Sequence, residues 1–289
     1  MTKISIFHDA PCELGEGPGF DPRTNTVWWF DILAGRLFEK SLGGGEAQVH
    51  SLGQMASALA AIDDGRQLVL TETGLFVRDR STGHSVMHRP IEADNPATRS
   101  NDARVHPAGA FWVSTMGKRA EQDAGSIYWY REGELRKLYG NISIANSICF
   151  APDGRTAYFA DMGPNIIWRV DTDPETGLPN GEPLAFHTHK GKGGLDGSVV
   201  DAHGNLWNAC WGGSAINVFD PSGKRIRTIA MPVPQPTCPA FIGVDTANLI
   251  VTSAYGEMTD VARQKNPHAG KTFLVEIAGK GRFDPPVRL

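Results

Sequence analysis

The sequence predicts an all-β fold, a six-bladed β-propeller with four-stranded antiparallel blades around a central channel. Three observations predict it. One phrase recurs along the whole chain, each copy holds short strand-like runs closed by turn residues, and long helical periodicity is absent. The phrase reads as a small or apolar lead-in, a turn such as D-P-x-T-N or P-D-G-R, an apolar strand, a second turn and a second strand. Copies return at roughly 42 to 50 residues, the period of a four-stranded blade rather than of a helical repeat. An irregular sandwich of similar hairpins is the competing architecture, and it leaves regular repetition over the full length unexplained.

The copies run in order. GPGFDPRTNTVWWFDILAGRLFEKS opens the series, with two tryptophans and a phenylalanine between Asp/Asn/Gly turns. ALAAIDDGRQLVLTETGLFVRDRSTG follows, alternating branched residues with turn formers. ARVHPAGAFWVSTMGKRAEQDAGSIYWYREGEL, SICFAPDGRTAYFADMGPNIIWRVDTDPETG and GSVVDAHGNLWNACWGGSAINVFDPSGK repeat the plan, and a looser PAFIGVDTANLIVTSA with KTFLVEI completes it. β-Branched and aromatic residues suit pleated, half-buried surfaces, and Gly, Pro, Asp and Asn close them. The leading KISIFHD run reads as a strand that pairs with KTFLVEI, closing the propeller and removing an exposed edge. The seven tryptophans fall mostly in predicted strands, where blade packing uses them.

The bulk numbers fit one domain spanning 1–289. The chain has 289 residues, 40% hydrophobic and 21% charged, with a net charge of −4, ordinary for a globular protein with a large core. Mild acidity without basic tracts argues against a nucleic-acid partner. The N-terminus MTKISIFHDAPCELGEG has no long apolar stretch with a small-residue cleavage site, and no segment reaches the roughly 18 apolar residues of a membrane span. A cytoplasmic protein without a membrane partner is expected. Cys12, Cys149, Cys210 and Cys238 form no CxxC pair, which excludes a zinc knuckle or redox motif on spacing. Cys149 and Cys210 stand in apolar runs and read as buried thiols. The NIS sequon at Asn141 has no meaning without secretion.

In a propeller the innermost strands line the channel, so equivalent positions of different blades converge. The lead-in phrases GEGPGF, RSNDARV, IANSICF, GLDGSVV and TCPAFIG place Glu16, Asn101, Asn146 and Asp196 at matching points, with Cys238 near the corresponding point of the last. Carboxylate and amide oxygens are what calcium, magnesium and manganese take, and zinc accepts them. Turn caps and channel-lining hydrogen-bond formers are the plainer reading of the same residues.

GEGPGFDP, RSNDARVHPAGAFWVSTMG, ANSICFAPDGRTAYFAD and LDGSVVDAHGNLWNACWGG together resemble the SMP-30/gluconolactonase/LRE family, the regucalcin-like lactonases, over essentially the entire chain. The resemblance implies one divalent cation (calcium, zinc, magnesium or manganese) held by Glu16, Asn146 and Asp196. It also implies that Arg99 and Asn101 bind a sugar, with Asn101 near the ion, and that Asp196 is the catalytic acid or base. The implied activity is hydrolysis of a sugar lactone to its acid, with the ion polarising the carbonyl and activating water. Asp196 is then aimed at the reactant, and its small neighbours leave the approach clear.

The chain departs from the family after STMG. Some members with sugar-lactone activity carry an acidic residue there; Lys118 and Arg119 stand here, with Glu121 following. Lys118 and Glu121 are candidate substrate contacts, the lysine favouring an acidic lactone such as that of an aldaric acid; a solvated loop is the other reading. His187 and His189 could ligate zinc but lack an evident third ligand, so FHTHKGKGG reads as an exposed loop. No GxxxxGK[ST] loop and no GxSxG elbow is present, which leaves P-loop and serine-hydrolase chemistry without support. Two rivals stay open: a propeller hydrolase of other esters or phosphotriesters, and a non-catalytic binding propeller. The oligomeric state is expected to be a monomer or homodimer.

Overall fold

A computed structural model describes residues 2–277 and 279–289. The fold is all-β, with six blades of four antiparallel strands: a six-bladed β-propeller. Strand β1 (Ile4–His8) comes first. Blade 1 holds β2 (Gly15–Asp21), β3 (Thr26–Asp31), β4 (Arg36–Ser41) and β5 (Gln48–Ser51). Blade 2 holds β6 (Ala56–Ala61), β7 (Arg66–Thr71), β8 (Gly74–Asp79) and β9 (Ser85–Pro90). Blade 3 holds β10 (Thr98–Val105), β11 (Phe111–Gly117), β12 (Gly125–Arg131) and β13 (Glu134–Ile142). Blade 4 holds β14 (Ala145–Phe150), β15 (Thr156–Asp161), β16 (Ile166–Asp171) and β17 (Leu184–Thr188). Blade 5 holds β18 (Gly194–Val200), β19 (Leu206–Trp211), β20 (Ala215–Phe219) and β21 (Arg225–Ala230). Blade 6 holds β22 (Pro236–Ile242), β23 (Asn248–Ser253) and β24 (Thr272–Glu276), with the short helix α1 (Asp260–Lys265) between the last two. Strand β1 supplies its fourth strand, pairing antiparallel with β24 through Ile4↔Val275 and Ile6↔Phe273, as the KISIFHD and KTFLVEI runs predict.

The turn residues earn their recurrence through local hydrogen bonds. Asp21, Asp63, Asp153, Asp201 and Asp245 each accept a backbone N–H two residues on, in the hairpin joining the first two strands of a blade. Such Asx turns give the backbone partners that the ladder no longer supplies. Asp79 and Asp220 do the same in outer hairpins, and the bonds from Ser81 and Thr82 hold the Asp79 carboxyl down at about 2.

Burial falls from the first strand of a blade to the last. All seven residues of β18 and of β22 are buried, whereas all six of β9 are exposed. This gradient explains why each repeat begins apolar and ends with charged or hydroxylated residues. All seven tryptophans lie in strands, and Trp29 and Trp112 are completely buried. The four cysteines are buried, and burial lifts Cys12 to about 12. His187, expected in a loop, lies within β17, paired with Ile167, because the edge strand extends through FHT.

The chain divides into two compact units. One comprises residues up to Gly53 with Lys190–Phe283; the other comprises Gln54–His189 with Asp284–Leu289. In the first, the cores are built on Trp29 and Phe38 and on Trp207, Phe241 and Phe273. In the second they are built on Phe111 and Tyr130 and on Trp112, Phe150 and Phe159. There the C-terminal residues bind as a strap: Val287 donates to Ala61, Arg288 to Gly109, and Arg104 pairs with Asp284 at 2.9 Å. No helix among the described residues is long and apolar enough to cross a membrane.

Candidate functional site

Each first strand carries a β-bulge at the point where the candidate residues stand. In β2, Glu16 pairs with Phe30 and Gly19 with Trp28, so three steps on one strand face two on the other. The same slip separates Ser100 from Ala103, Asn146 from Cys149, Leu195 from Ser198 and Pro236 from Pro239. In β6 it lies between Ala56 and Ala58. Counting four residues back from Phe20, Ala61, Val105, Phe150, Val200 and Ile242 gives Glu16, Ser57, Asn101, Asn146, Asp196 and Cys238. All six are buried. A bulge re-aims a side chain out of the alternating pattern, which is how a polar residue occupies a fully buried strand.

In the Gln54–His189 unit, Arg99, Asn101 and Asn146 form one hydrogen-bonded chain. Arg99 Nη1 donates to Asn101 Oδ1 at 2.8 Å, and Asn101 Nδ2 donates to the Ala145 carbonyl at 2.8 Å and to Asn146 Oδ1 at 2.9 Å. Asn146 Nδ2 points at Met162 Sδ, 2.9 Å away. The Asn146 oxygen is therefore on the Asn101 side, with one of its two lone pairs committed. Ser147 follows with φ 57, a left-handed conformation costly for a residue with a Cβ. Ser57 Oγ donates to Ser100 Oγ at 2.9 Å.

Asp102, beside Asn101, is a buried carboxylate that sequence reasoning overlooked. Its oxygens accept from Ala103 N at 2.8 Å and from Ile148 N at 2.7 Å, tying β10 to β14. Burial drives its pKa up to about 6, against the lowering effect of Arg104 and those two backbone bonds. Lys118 pairs with Glu72 at 2.6 Å, which draws the Glu72 carboxyl down against its burial. Glu121 is exposed and folds back, accepting from Arg119 N at 3.0 Å.

In the other unit, Glu16 and Asp196 stand at the bulges of β2 and β18. Glu16 Oε2 accepts from Gly17 N at 2.9 Å, and Gly17 has φ 52. The Asp196 carbonyl accepts from Asn208 Nδ2 at 2.9 Å. Burial first, then the Asp196 charge, pushes the Cys210 thiol up. Gly197 is small for a packing reason: a Cβ there would lie 2.4 Å from Cys238 Sγ and 2.6 Å from its Cβ. The neighbouring strand β22, rather than an approaching ligand, sets that requirement.

Two further aspartates end second strands. Asp31 Oδ2 and Oδ1 accept from Glu13 N and Leu14 N, each at 3.1 Å, and Arg36 Nη2 donates to Oδ2 at 2.7 Å. Asp161 Oδ2 accepts from Ser143 N at 3.3 Å, and its Oδ1 accepts from Ile144 N at 3.2 Å and Gly163 N at 3.0 Å. The signal for both was the shared ending of TVWWFD and TAYFAD.

Among the described residues no three His, Cys, Asp or Glu gather as a metal-ligand group. The donor chemistry nevertheless fits a hard cation: Glu16 and Asp196 offer carboxylates, and Asn146 offers an oriented amide oxygen, all buried.

Comparison with known proteins places these features in a family. A family model described as the SMP-30/gluconolactonase/LRE-like region matches residues 14–255. A Rhizobium meliloti (strain 1021) protein, provisionally named a sugar lactone lactonase, is 49% identical over 282 residues, 97% of this chain and 96% of that protein. The L-arabinolactonase of Azospirillum brasilense is 32% identical over 284 residues, 96% of this chain and 93% of that enzyme. Among solved structures, regucalcin from Agrobacterium tumefaciens str. C58, described as a calcium-binding protein, superposes with a TM-score of 0.98 at 48% identity, covering 100% of this chain and 98% of that one. The chain belongs to the SMP-30/gluconolactonase/LRE-like family.

Proposed function

We propose that the protein hydrolyses sugar lactones, with one divalent cation held by Glu16, Asn146 and Asp196. The observation that carries this reading is the recurrence of buried oxygen donors at or beside the bulge of the first strands, four residues before Phe20, Phe150 and Val200. The lactonase names of relatives and the calcium-binding description of regucalcin support it. When bound, the cation supplies Lewis-acid character at the lactone carbonyl and eases deprotonation of water.

The side chains carry the remaining chemistry. Arg99 presents donors that suit sugar hydroxyls, and Asn101, held between Arg99 and Asn146, fixes its orientation. Asp196 accepts a proton from the attacking water as the new C–O bond forms. It returns that proton to the ring oxygen as the acyl C–O bond breaks, leaving the open hydroxy acid. Because Lys118 is already matched by Glu72, the loop after STMG offers no surplus positive charge at that residue. We therefore favour an aldonolactone over an aldarolactone, with Lys118 and Glu121 shaping the rim.

Acid release is measured across a panel of aldonate and aldarate lactones, with protein stripped of metal and refilled with calcium, magnesium, manganese or zinc. Turnover that disappears on stripping and returns with one ion is expected, and Asp196→Asn should lose it while keeping the fold. A folded, cation-loaded chain silent on every lactone would refute the reading.

A further inference from the structure

Five of the six bulges fall into two classes according to what steadies them. In blades 3, 5 and 6 a polar side chain on the second strand reaches the bulge backbone. Ser114 Oγ donates to the Asp102 carbonyl at 2.7 Å, Asn208 Nδ2 to the Asp196 carbonyl at 2.9 Å, and Thr252 Oγ1 to the Cys238 carbonyl at 3.1 Å. In blades 1 and 4 the residues between the paired positions of the second strand are Trp29 and Phe159. Both aromatic side chains pack in hydrophobic cores instead.

Those two blades share three other features. The residue after the bulge position, Gly17 or Ser147, has positive φ. The hairpin that follows is one residue longer, with Phe20 opposite Val27 and Phe150 opposite Ala157 where Val105 faces Phe111. An aspartate ends the second strand, and its carboxylate grips the same backbone groups in each blade. Asp31 binds the N–H groups three and two residues before Glu16; Asp161 binds those three and two residues before Asn146. Asp31 is fully buried and Asp161 is 8% exposed.

We propose that Asp31 and Asp161 are a matched pair of positioning residues. Each holds the approach segment of its first strand, and so sets the direction in which Glu16 and Asn146 present their oxygens. The inference rests on reading those two residues as cation ligands. A left-handed residue immediately after each ligand leaves the local backbone strained or pliable, so its pose must be fixed from the preceding side. A carboxylate taking two N–H bonds does this with charge-assisted strength. An amide in its place keeps one acceptor and turns a donor toward an N–H.

The test is a calcium titration by calorimetry on the full chain, with urea unfolding measured in parallel. The variants are Asp31→Asn and Asp161→Asn; among the described residues the Asp161 carboxylate accepts from the backbone N–H groups of Ser143, Ile144 and Gly163. Thr71→Val is the control, since Thr71 ends the second strand of blade 2, opposite Ala56. We expect both aspartate variants to bind calcium roughly 10- to 100-fold more weakly, the scale of losing a ligand's orienting partner. The control should lose stability without losing affinity. If Asp161→Asn does not fold, Asp161→Thr, which places the blade 2 residue there, carries the same expectation. Wild-type affinity in a folded Asp161 variant overturns the inference alone. A parent chain that binds no divalent cation overturns the functional reading together with it.

Discussion

Substituting Gly197 by alanine sets two opposite effects against each other. Gly197 does not have positive φ, so an L-residue fits its backbone, and Gly→Ala at such a place ordinarily stabilises by about 0.4–1 kcal/mol through the unfolded chain. Packing argues the other way. The new methyl would sit 2.4 Å from Cys238 Sγ, 2.6 Å from its Cβ and 2.9 Å from its Cα, where ordinary carbon contacts are about 3.5–4.0 Å. Strands β18 and β22 must therefore separate by about 1 Å. Overpacking of this kind costs about 1–3 kcal/mol, so the clash wins. The melting temperature should fall by roughly 2–10 °C. Asp196 precedes this glycine, and a displacement of about 1 Å at a reacting group can cost about 100-fold in rate. The assay is urea unfolding of Gly197→Ala, Cys238→Gly and the double variant, with lactone turnover measured alongside. The alanine should cost less stability in the Cys238→Gly background, where the sulfur and Cβ are gone. An alanine variant as stable and as active as the parent would falsify the packing argument for this glycine.

Three further outcomes follow from the geometry. Deleting residues 2–9 removes the strand that pairs with β24, together with the Phe7–Trp29 contact at 5.9 Å and the Lys40 bond to the Phe7 carbonyl. The half-burial of Ile4 and Phe7 alone is worth roughly 2 kcal/mol, so a sharply lower melt is expected, and an unchanged one would remove β1 from the stability of blade 6. The pKa of Asp102 is raised from 3.8 to about 6 by burial, so its neutral form favours folding below pH 4, and that advantage is lost as pH rises through 6. The change amounts to about 3 kcal/mol. Asp102→Asn should therefore lose less stability, relative to the parent, at pH 7.5 than at pH 4; a pH-independent difference would show that folding does not raise the Asp102 pKa. Lys118→Met removes the ion pair to Glu72, whose carboxylate keeps its bond from Met55 N, so aldonolactone turnover should change less than twofold while stability drops by about 1 kcal/mol or less; a large loss of turnover would make Lys118 a substrate contact.

Much of the fold was legible because each blade spells out its own local physics. The Asp-rich hairpins, the apolar first strands and the charged last strands repeat with the blade, and each can be read within about ten residues. The pairing of the first and last strands was legible too, since an unmatched strand at each end of a repeat array can bury its edge against the other. The bulge was not. A phrase such as GLDGSVV announces a polar residue in a buried strand, but nothing within it says that one residue is extra, because the slip exists only relative to LWNACW.

The candidate residues divide the same way. Glu16, Asn101, Asn146 and Asp196 were found from their matching places in the repeat, a property of sequence. Asp31, Asp102 and Asp161 escaped notice because an aspartate at a strand end looks like any turn former until its partners are known. Asp102 binds an N–H 46 residues away, and Asp161 binds N–H groups 17 and 18 residues away. The lysine after STMG suggested a charged subsite, but its Glu72 partner belongs to another blade. By itself the sequence determined the blade, its repetition and the kinds of side chain placed at one point of each, since periodicity and local turn chemistry act within a few residues. Only the tertiary structure decided which way those side chains are held, why Gly197 must be small and which charges are already matched. Those depend on contacts between strands far apart in the chain, and burial makes them strong.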